Sequence, residues 1–346
     1  MNSSRKAHEA VQRTAESDLE RNEPSGIVTR RTFIGGCGAA ALSAGLTGSA
    51  GHAAAQRQDR PNTRGRFRFI FFPDIHLLED RRSPQGMAAA LDSLKRLDPA
   101  PEFIVTGGDL IQNCRDLTIE QGQHMADLFV SIWNDHTDLP AFHMLGNHDP
   151  AGWRNEAVPT DHPLFGFNLL QQTLGLDQLY YSFDRNDWHF VILHNFSLTE
   201  RGDYVAEFTD EQMNWLRDDL KRAGDTPTFV FGHFPPLSAI SFLNDRAAVK
   251  DGDWTLSTKR MTRNPTALID AINSAPNANV RAFFSGHIHR LDRIEAKGLT
   301  MICAGSVSGA QWRGPQVDTE EGYGIVDCRP DGTFDYRYHE YGWNAG

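Results

Sequence analysis

The sequence predicts a layered α/β domain, and two features of the chain carry that prediction. From residue 67 to residue 284, apolar runs of strand length alternate with segments whose apolar residues repeat at helical spacing. After residue 290, short strand-like runs separated by glycine dominate. Alternation followed by a β-rich tail indicates helices packed on sheets.

The first half of this region alternates strands with helices. Phe67–Phe72 is an apolar, aromatic run that ends at Pro73, which indicates a buried strand. Residues 84–97 place Met87 and Leu91 on one side of a predicted helix. The other elements predicted here are a strand at Phe103–Thr106, a helix at 118–134 and a strand at 141–145.

The second half begins with a predicted hairpin around the turn Arg185-Asn186-Asp187. Thr209 and Gln212 have the spacing of a capping box, and the helix they open ends at Gly224. The remaining predictions are strands at 180–183, 188–193, 228–231 and 280–284, a helix from Asn264-Pro265 to about 274, and tail strands at 291–296, 299–303, 323–328 and 333–338.

Composition and charge restrict the possible partners. The chain has 346 residues, of which 40% are hydrophobic, and a formal net charge of −11. It contains no run of about 20 strongly apolar residues, the length that a membrane span needs. Because an acidic surface repels phosphate backbones, we do not expect a general nucleic-acid binder.

Residues 1–55 resemble a twin-arginine export signal. Thr29-Arg30-Arg31-Thr32-Phe33-Ile34 precedes a mildly apolar, Gly/Ala-rich stretch at 35–51, and Ala53-Ala54-Ala55 suits a signal peptidase. The alternative is a loose N-terminal tail with a chance Arg-Arg pair. The resemblance implies recognition by the bacterial twin-arginine export machinery and a periplasmic or secreted location.

Removal of this leader would leave one domain at residues 56–346. The leader holds six Lys/Arg and five Asp/Glu, so the remainder has 28 basic and 40 acidic residues, a net charge of −12. Three cysteines remain, Cys114, Cys303 and Cys328, and they allow at most one disulfide. Because Cys303 and Cys328 lie in neighbouring predicted strands, we expect these two to pair.

Five short polar motifs follow predicted strands. In chain order they are Asp74-Ile75-His76, Gly108-Asp109, Gly146-Asn147-His148-Asp149, Gly232-His233 and Gly286-His287-Ile288-His289. Open α/β sheets place their ligands at the carboxyl ends of strands, so we expect the motifs to meet at one edge. Carboxylate oxygen and neutral imidazole are the usual protein ligands of divalent transition metals.

The spacing inside the motifs supports a metal site. In an extended segment residues i and i+2 point to the same side, so Asp74 with His76 can aim a pair of ligands at one site. His287 with His289 can do the same, and the glycines of the motifs let the backbone turn sharply off each strand. Each motif alone is compatible with an ordinary turn; five in this order, each after an apolar strand, are not.

This order of motifs resembles the calcineurin-like metallophosphoesterases, over residues 67–306. The resemblance implies a four-layer α/β/β/α sandwich that holds two divalent metal ions at the strand ends. By position, one ion would be bound by Asp74, His76 and His289, the other by Asn147, His233 and His287, and Asp109 would bridge them. Mn, Fe, Zn and Co suit such ligands alike, so the identity of the ions stays open.

The resemblance also implies the chemistry. A hydroxide bridging the ions would attack phosphorus directly, without a phosphoenzyme. His148 would face the substrate and, if protonated, stabilise the developing charge or protonate the leaving alkoxide, while Asp149 would hold its imidazole in orientation. A structural role behind the ligands is the alternative for His148. Two divalent ions would reverse the local charge and attract phosphate to an acidic protein.

The motifs of this chain differ from those of two other branches of the family, and these differences restrict the expected class of substrate. Purple acid phosphatases carry a tyrosine three residues after the bridging aspartate, where this chain has Gln112. The Gly-Asp-x-Val-Asp-Arg-Gly of Ser/Thr protein phosphatases is also absent from residues 108–114. The chain looks closer to the cyclic-nucleotide and glycerophosphodiester phosphodiesterases, so we predict hydrolysis of a small-molecule phosphodiester. A phosphomonoesterase, or a protein that binds metal and phosphate without turnover, is the alternative, and the net charge disfavours a nuclease.

Two predicted loops, at 150–168 and 235–264, and the glycine-rich segment 305–314 could border this edge. The side chains there that could touch a substrate are Trp153, Arg154, Phe234, Asn244, Arg246, Trp254, Trp312 and Arg313, although ordinary loop packing is the alternative for each.

Overall fold

Two large β-sheets and the helices on their outer faces form the described part of the protein. The computed structural model describes residues 65–243 and 247–344, so the predicted export signal at 1–55 lies outside the described residues. The strands are β1 (Phe67–Phe72), β2 (Phe103–Thr106), β3 (Ala141–Phe142), β4 (Tyr181–Arg185), β5 (Trp188–Ile192), β6 (Phe196–Leu198), β7 (Tyr204–Ala206), β8 (Pro227–Phe231), β9 (Ala247–Lys250), β10 (Asp253–Leu256), β11 (Asn279–Ser285), β12 (Asp292–Ala296), β13 (Leu299–Cys303), β14 (Gly322–Cys328) and β15 (Phe334–Glu340). The helices are α1 (Ser83–Leu94), α2 (Ile119–His136), α3 (Asn168–Leu174), α4 (Asp210–Ala223), α5 (Ile240–Leu243) and α6 (Pro265–Asn273).

Strand order explains why the motifs can meet. The first sheet has the order β15-β14-β1-β2-β3, and the second has the order β12-β13-β11-β8-β5-β4. Strands β1, β2 and β3 run parallel to one another, as do β5, β8, β11 and β13. Each group therefore brings the carboxyl ends of its strands to one edge, and the motifs follow four of these strands directly.

The two sheets pack face to face through an aromatic core. Along β1, Phe69 and Phe71 belong to the cluster between the sheets, whereas Ile70 and Phe72 belong to the cluster under α1 and α2. This alternation is the period of two that a strand imposes, and it lets β1 be apolar on both faces. Helices α4 and α6 cover the outer face of the second sheet. The layers are therefore helix, sheet, sheet and helix, which confirms the predicted α/β/β/α sandwich.

Several predicted elements differ in detail from the structure. The strand predicted at 141–145 ends at Phe142, because the chain leaves the sheet toward the motif that begins at Gly146. Thr209 accepts a hydrogen bond from the backbone of Gln212, but the Gln212 amide donates to the His194 carbonyl, so only half of the capping box forms. A full capping box lies instead between Thr118 and Gln121 at the start of α2.

The predicted disulfide is wrong. Cys114, Cys303 and Cys328 are all free and buried. Although β13 and β14 are consecutive in the chain, Cys303 ends a strand of the second sheet and Cys328 ends a strand of the first, so neighbouring positions in sequence did not become neighbouring strands.

No helix within residues 65–243 and 247–344 is both long enough and apolar enough to cross a membrane.

Candidate metal centre

The structure brings together all seven side chains that the sequence predicts as metal ligands. The ligand atoms of Asp74, His76 and His289 lie within 4.8 Å of one another, and the same holds for Asp109, His233 and His287. The Oδ1 of Asn147 completes the cluster, 3.1 Å from Nε2 of His233. Asp74, Asp109 and Asn147 are buried, although carboxylates and amides are rarely so.

Convergence depends on a left-handed backbone rather than on strand alternation. Five of the seven residues have positive φ, namely Asp74 (56°), His76 (48°), Asp109 (51°), His287 (69°) and His289 (60°). The expectation that extended segments would aim i and i+2 at one site is therefore wrong in its geometry. Asp74 and His76 do fall in one group of ligand atoms, whereas His287 and His289 fall in different groups. Non-glycine residues rarely adopt this conformation, and its recurrence at one cluster marks strain held by the surroundings for function.

Side chains of the 305–314 segment hold the first motif in this conformation. The hydroxyls of Ser306 and Ser308 donate to the Asp74 carbonyl at 2.9 and 2.8 Å. The indole N–H of Trp312 donates to the carbonyls of Ile75 and His76 at 2.9 and 3.0 Å. These bonds satisfy carbonyls that the left-handed turn removes from the sheet ladder.

Two glycines let the motifs approach each other closely. A Cβ on Gly146 would lie 2.2 Å from Oδ1 of Asp109, and a Cβ on Gly286 would lie 2.2 Å from Oδ2 of Asp74. The next backbone N–H after Gly286 then donates to both oxygens of Asp74 at 3.0 Å. Any larger residue at these positions would displace a carboxylate of the cluster.

Backbone carbonyls fix the orientation of three imidazoles. His233 and His289 donate from Nδ1 to the carbonyls of Gly107 and Gly309, at 2.8 and 2.7 Å. His287 donates from Nε2 to the Lys259 carbonyl at 2.7 Å. Because a carbonyl oxygen only accepts, the other nitrogen of each ring can keep a lone pair for a metal, as is usual for metal-binding histidines.

The remaining lone pairs face one another, which suits shared cations. The Nε2 atoms of His76 and His289 lie 2.9 Å apart, and Nε2 of His289 lies 3.3 Å from Oδ1 of Asp74. The Oδ2 of Asp109 lies 3.5 Å from Nε2 of His76 and 3.4 Å from Nε2 of His233. Ligand atoms held about 2.1 Å from one ion lie roughly 3.0 to 3.4 Å from each other, so these residues fit divalent metals.

The titration of the cluster reflects the same crowding. Burial would lower the pKa of His233, but the Asp109 and Asp74 carboxylates outweigh it and raise this pKa to about 9. Burial and the neighbouring imidazoles hold the pKa of His76 well below its usual range, against the pull of Asp109. Buried acceptors of this density need a positive charge among them, either a proton or a metal ion.

Asp149 does not orient the His148 imidazole, so that prediction is wrong. Its carboxylate accepts three backbone N–H groups, from Leu110 at 2.9 Å, from Ile111 at 3.0 Å and from Gly146 at 2.7 Å. Burial and the Asp109 carboxylate raise the pKa of Asp149 to about 8, while these N–H groups oppose the rise. Asp149 thus connects the backbone that follows Asp109 to the backbone that precedes Asn147.

His148 is held by other groups. Its Nδ1 donates to the Gln112 carbonyl, and its Nε2 lies 3.2 Å from Nη2 of Arg115. The ring stands edge-on to the His76 ring, with 4.8 Å between centroids, and the ring atoms lie close enough to His76 and Asp109 to form a further group of candidate ligands.

Most of the loop candidates do not face the cluster. Trp312 is 1% exposed and supports the first motif, so the prediction that it could touch a substrate is wrong. Phe234 is fully buried with its ring 4.0 Å from the His287 ring, and Arg154 is paired with Asp116. Trp254 lies exposed on β10. The side chain of Trp153 donates to the Asp203 carbonyl, Arg313 is exposed, and Asn244 and Arg246 lie outside the described residues.

Two residues near the centre were not predicted from the sequence. Arg115 contacts His148, as described above. Asn195 makes hydrogen bonds to both the N–H and the carbonyl of Phe234, at 3.1 and 2.7 Å, and so fixes the backbone next to His233. Asn195 follows the apolar strand β5, so it carried the same strand-end signal as the five motifs.

Comparisons with known proteins agree on one family. The sequence profile of the calcineurin-like phosphoesterases matches residues 67–291. A 3',5'-cyclic-nucleotide phosphodiesterase of Nostoc sp. is 27% identical over 225 residues, which cover 63% of this chain and 69% of the relative. The serine/threonine-protein phosphatase CPPED1 of Bos taurus is 27% identical over 223 residues, 63% of each chain.

The fold is similar to that of a solved dimetal phosphatase from Danio rerio. The two structures match with a TM-score of 0.55 at 15% identity, over 80% of this chain and 96% of that one.

Proposed function

Because this chain belongs to the calcineurin-like phosphoesterase family, we propose that it hydrolyses a phosphodiester at a centre of two divalent metal ions. It is a metal-dependent phosphoric ester hydrolase, and the preference for a diester is the further step. The observation that carries the proposal is the group of imidazole nitrogens and carboxylate oxygens around Asp109, whose mutual distances suit ligands of divalent cations.

We assign the ligands by their grouping. Asp74, His76 and His289 would hold one ion, Asn147, His233 and His287 would hold the other, and Asp109 would serve both. Two ions held there would supply positive charge for the phosphate oxygens and would lower the pKa of a bound water. The chain's part is to hold the ligand atoms in place, through the carbonyls and hydroxyls behind them.

His148 is proposed to act at the leaving oxygen. A guanidinium only donates, so the contact with Arg115 makes Nε2 of His148 an acceptor, and burial lowers the pKa of this imidazole. His148 is therefore neutral in this arrangement. To protonate a leaving alkoxide it must release Arg115 and take up a proton at Nε2, which becomes favourable beside an anionic substrate.

Two relatives support different ester classes. The Nostoc relative is named for a cyclic phosphodiester, which supports the diester, and the bovine relative is named as a phosphatase, which supports a phosphomonoester as the second candidate. The cation Arg115 beside His148 also favours the second candidate, since a monoester carries more negative charge than a diester.

The test compares esters on the metal-loaded protein. We expect turnover of bis(p-nitrophenyl) phosphate and of 3',5'-cyclic AMP with added Mn²⁺, loss of activity with a chelator, and recovery when metal is restored. Faster turnover of p-nitrophenyl phosphate would establish the phosphatase instead. Two bound metals without any turnover would mean a binding protein, and cleavage of plasmid DNA would mean a nuclease. Metal analysis of protein made without a chelating tag identifies the ions.

We also propose that residues 1–55 direct the protein through the twin-arginine pathway to the periplasm or the medium. Export of folded protein by this pathway would let the metals be loaded in the cytoplasm. Fusion of residues 1–55 to a reporter tests this: export should stop when Arg30 and Arg31 are both replaced by lysine, and export that continues would refute the assignment.

A further inference from the structure

Arg115 is a cation at the edge of the metal centre that the sequence motifs do not include. It lies in the 3₁₀ turn Cys114–Asp116, six residues after Asp109. The turn is anchored to the following loop, because the N–H groups of Gly152 and Arg154 donate to the carbonyls of Cys114 and Arg115 at 3.1 and 2.7 Å. The base of the side chain is therefore fixed.

The guanidinium reaches the centre itself. Its Nη2 lies 3.2 Å from Nε2 of His148, and its Nη1 donates to the Asn147 carbonyl at 3.4 Å. The His148 ring in turn stands against the His76 ring. The backbone N–H of His148 donates to Asp109 at 2.8 Å. The guanidinium therefore contacts the backbone of Asn147, a proposed ligand residue, and one imidazole separates it from the ring of His76.

The positive charge of Arg115 has no carboxylate partner at ion-pairing distance within residues 65–243 and 247–344. The carboxylates of the surrounding loops are engaged elsewhere, since Asp116 pairs with Arg154 and Asp203 pairs with Lys259. The Nε of Arg115 is buried and has no hydrogen-bond partner in the same part of the chain. A half-buried cation with an unused donor is unusual, because arginines at such depth are normally paired.

Both present acceptors of Arg115 are uncharged. A phosphate oxygen would replace a neutral imidazole nitrogen or a carbonyl by a charge-assisted acceptor, and the planar guanidinium can bind two such oxygens at once. The exchange would also free Nε2 of His148.

We propose that the guanidinium of Arg115 binds an anionic oxygen of the phosphate ester. It would contribute more to turnover of doubly charged monoesters, the second candidate substrates, than to turnover of the singly charged diesters. This proposal rests on the proposed function, because it concerns the substrate of the same centre. Arg115 thereby sets the ratio of monoester to diester turnover, which the metal ligands alone do not determine.

The experiment replaces Arg115 and measures inorganic phosphate binding as well as turnover. In metal-loaded protein, Arg115→Gln should bind inorganic phosphate about tenfold to a hundredfold more weakly by calorimetry, with its two metals retained. It should lose more kcat/KM on p-nitrophenyl phosphate than on bis(p-nitrophenyl) phosphate. Arg115→Lys should recover part of the loss, because it keeps the charge without the fork. Arg293→Gln, at an exposed ion pair with Glu295 on β12, is the matched control.

A double-mutant cycle separates direct contact from action through His148. In a His148→Ala background, Arg115→Gln should still weaken phosphate binding; no further loss would overturn the proposal and make Arg115 a positioning residue. Equal phosphate affinity of wild type and Arg115→Gln would also overturn it. Absence of turnover in the wild type would refute the proposed function instead, and the phosphate measurement would still decide the role of Arg115.

Discussion

The imidazole of His148 donates from Nδ1 to the backbone carbonyl of Gln112 and not to the carboxylate of Asp149, which accepts backbone N–H groups instead. Arg115 occupies the other ring nitrogen. Both nitrogens of His148 thus have partners outside the proposed ligand atoms, whereas Nε2 of His233 lies among those atoms, 3.1 Å from Oδ1 of Asn147 and 3.4 Å from Oδ2 of Asp109. This difference supports the proposed roles, in which His148 acts on the substrate and His233 binds a metal ion.

His148→Ala should keep both metal ions and lose rate. The seven proposed ligands remain in place without the His148 ring, whereas removal of a general acid typically costs about 10²- to 10⁴-fold in kcat. Metal content by mass spectrometry and kcat on p-nitrophenyl phosphate check this prediction. Loss of one ion would show that His148 is a metal ligand. Its position close to His76 and Asp109 would be consistent with that role.

Asp149→Asn should destabilise the protein rather than shift its pH optimum. The new amide can still accept from Leu110 and Ile111 through Oδ1, but its NH₂ group would face the Gly146 N–H, donor against donor. The expected loss is about 1 to 3 kcal/mol in the free energy of unfolding by urea. An unchanged unfolding curve with a shifted pH–rate profile would instead connect Asp149 to the His148 imidazole.

The sequence was sufficient to predict that seven side chains would cluster, because each belongs to a short polar motif that comes after an apolar strand, and such motifs are visible in a single chain. It was insufficient for the role of Asp149, because a carboxylate that follows a histidine by one position can turn to the backbone instead, and here three N–H groups compete for it. The predicted disulfide between Cys303 and Cys328 was wrong for a related reason. Consecutive strands can belong to different sheets, and the sequence does not show which sheet each strand joins.

Gly86→Ala should weaken the metal centre from a distance. A Cβ on Gly86 of α1 would lie 2.1 Å from Cζ3 of Trp312, whose indole holds the carbonyls of Ile75 and His76. Overpacking of this kind costs about 1 to 3 kcal/mol, and displacement of the indole should loosen the turn that carries Asp74. Urea unfolding and Mn²⁺ affinity measure the two effects.

Gly122→Ala is the matched control for that variant. Gly122 also lies in a helix, α2, but its nearest neighbours would be a methyl group of Leu169 at 3.2 Å, the Cys114 sulfur at 3.4 Å and Cβ of Ala151 at 3.9 Å. Those flexible neighbours can adjust, and alanine favours the helix. Equal Mn²⁺ affinities for the two variants would argue against the Trp312 connection.

The stability of the protein should depend on the protonation of His189, which is not one of the proposed metal ligands. Its Nδ1 and Nε2 lie 2.7 and 2.8 Å from the carboxylates of Asp184 and Asp219, so both nitrogens donate and the ring is an imidazolium. Burial opposes this charge, but the two carboxylates outweigh it and raise the pKa of His189 above its usual value of 6.5. The stabilisation is therefore complete below the unfolded-state pKa and is lost as the pH rises through the folded-state pKa.

Urea unfolding of wild type and His189→Gln between about pH 5.5 and about pH 9 tests this dependence. Glutamine keeps a hydrogen-bonding side chain but does not titrate, so the difference in unfolding free energy should be largest at low pH and shrink as the pH rises. His124→Gln, which removes an exposed histidine beside Glu79, is the control for loss of an imidazole. If the difference in unfolding free energy instead grew with pH, the folded-state pKa of His189 would lie below the unfolded-state value. His189 would then be neutral in the folded protein.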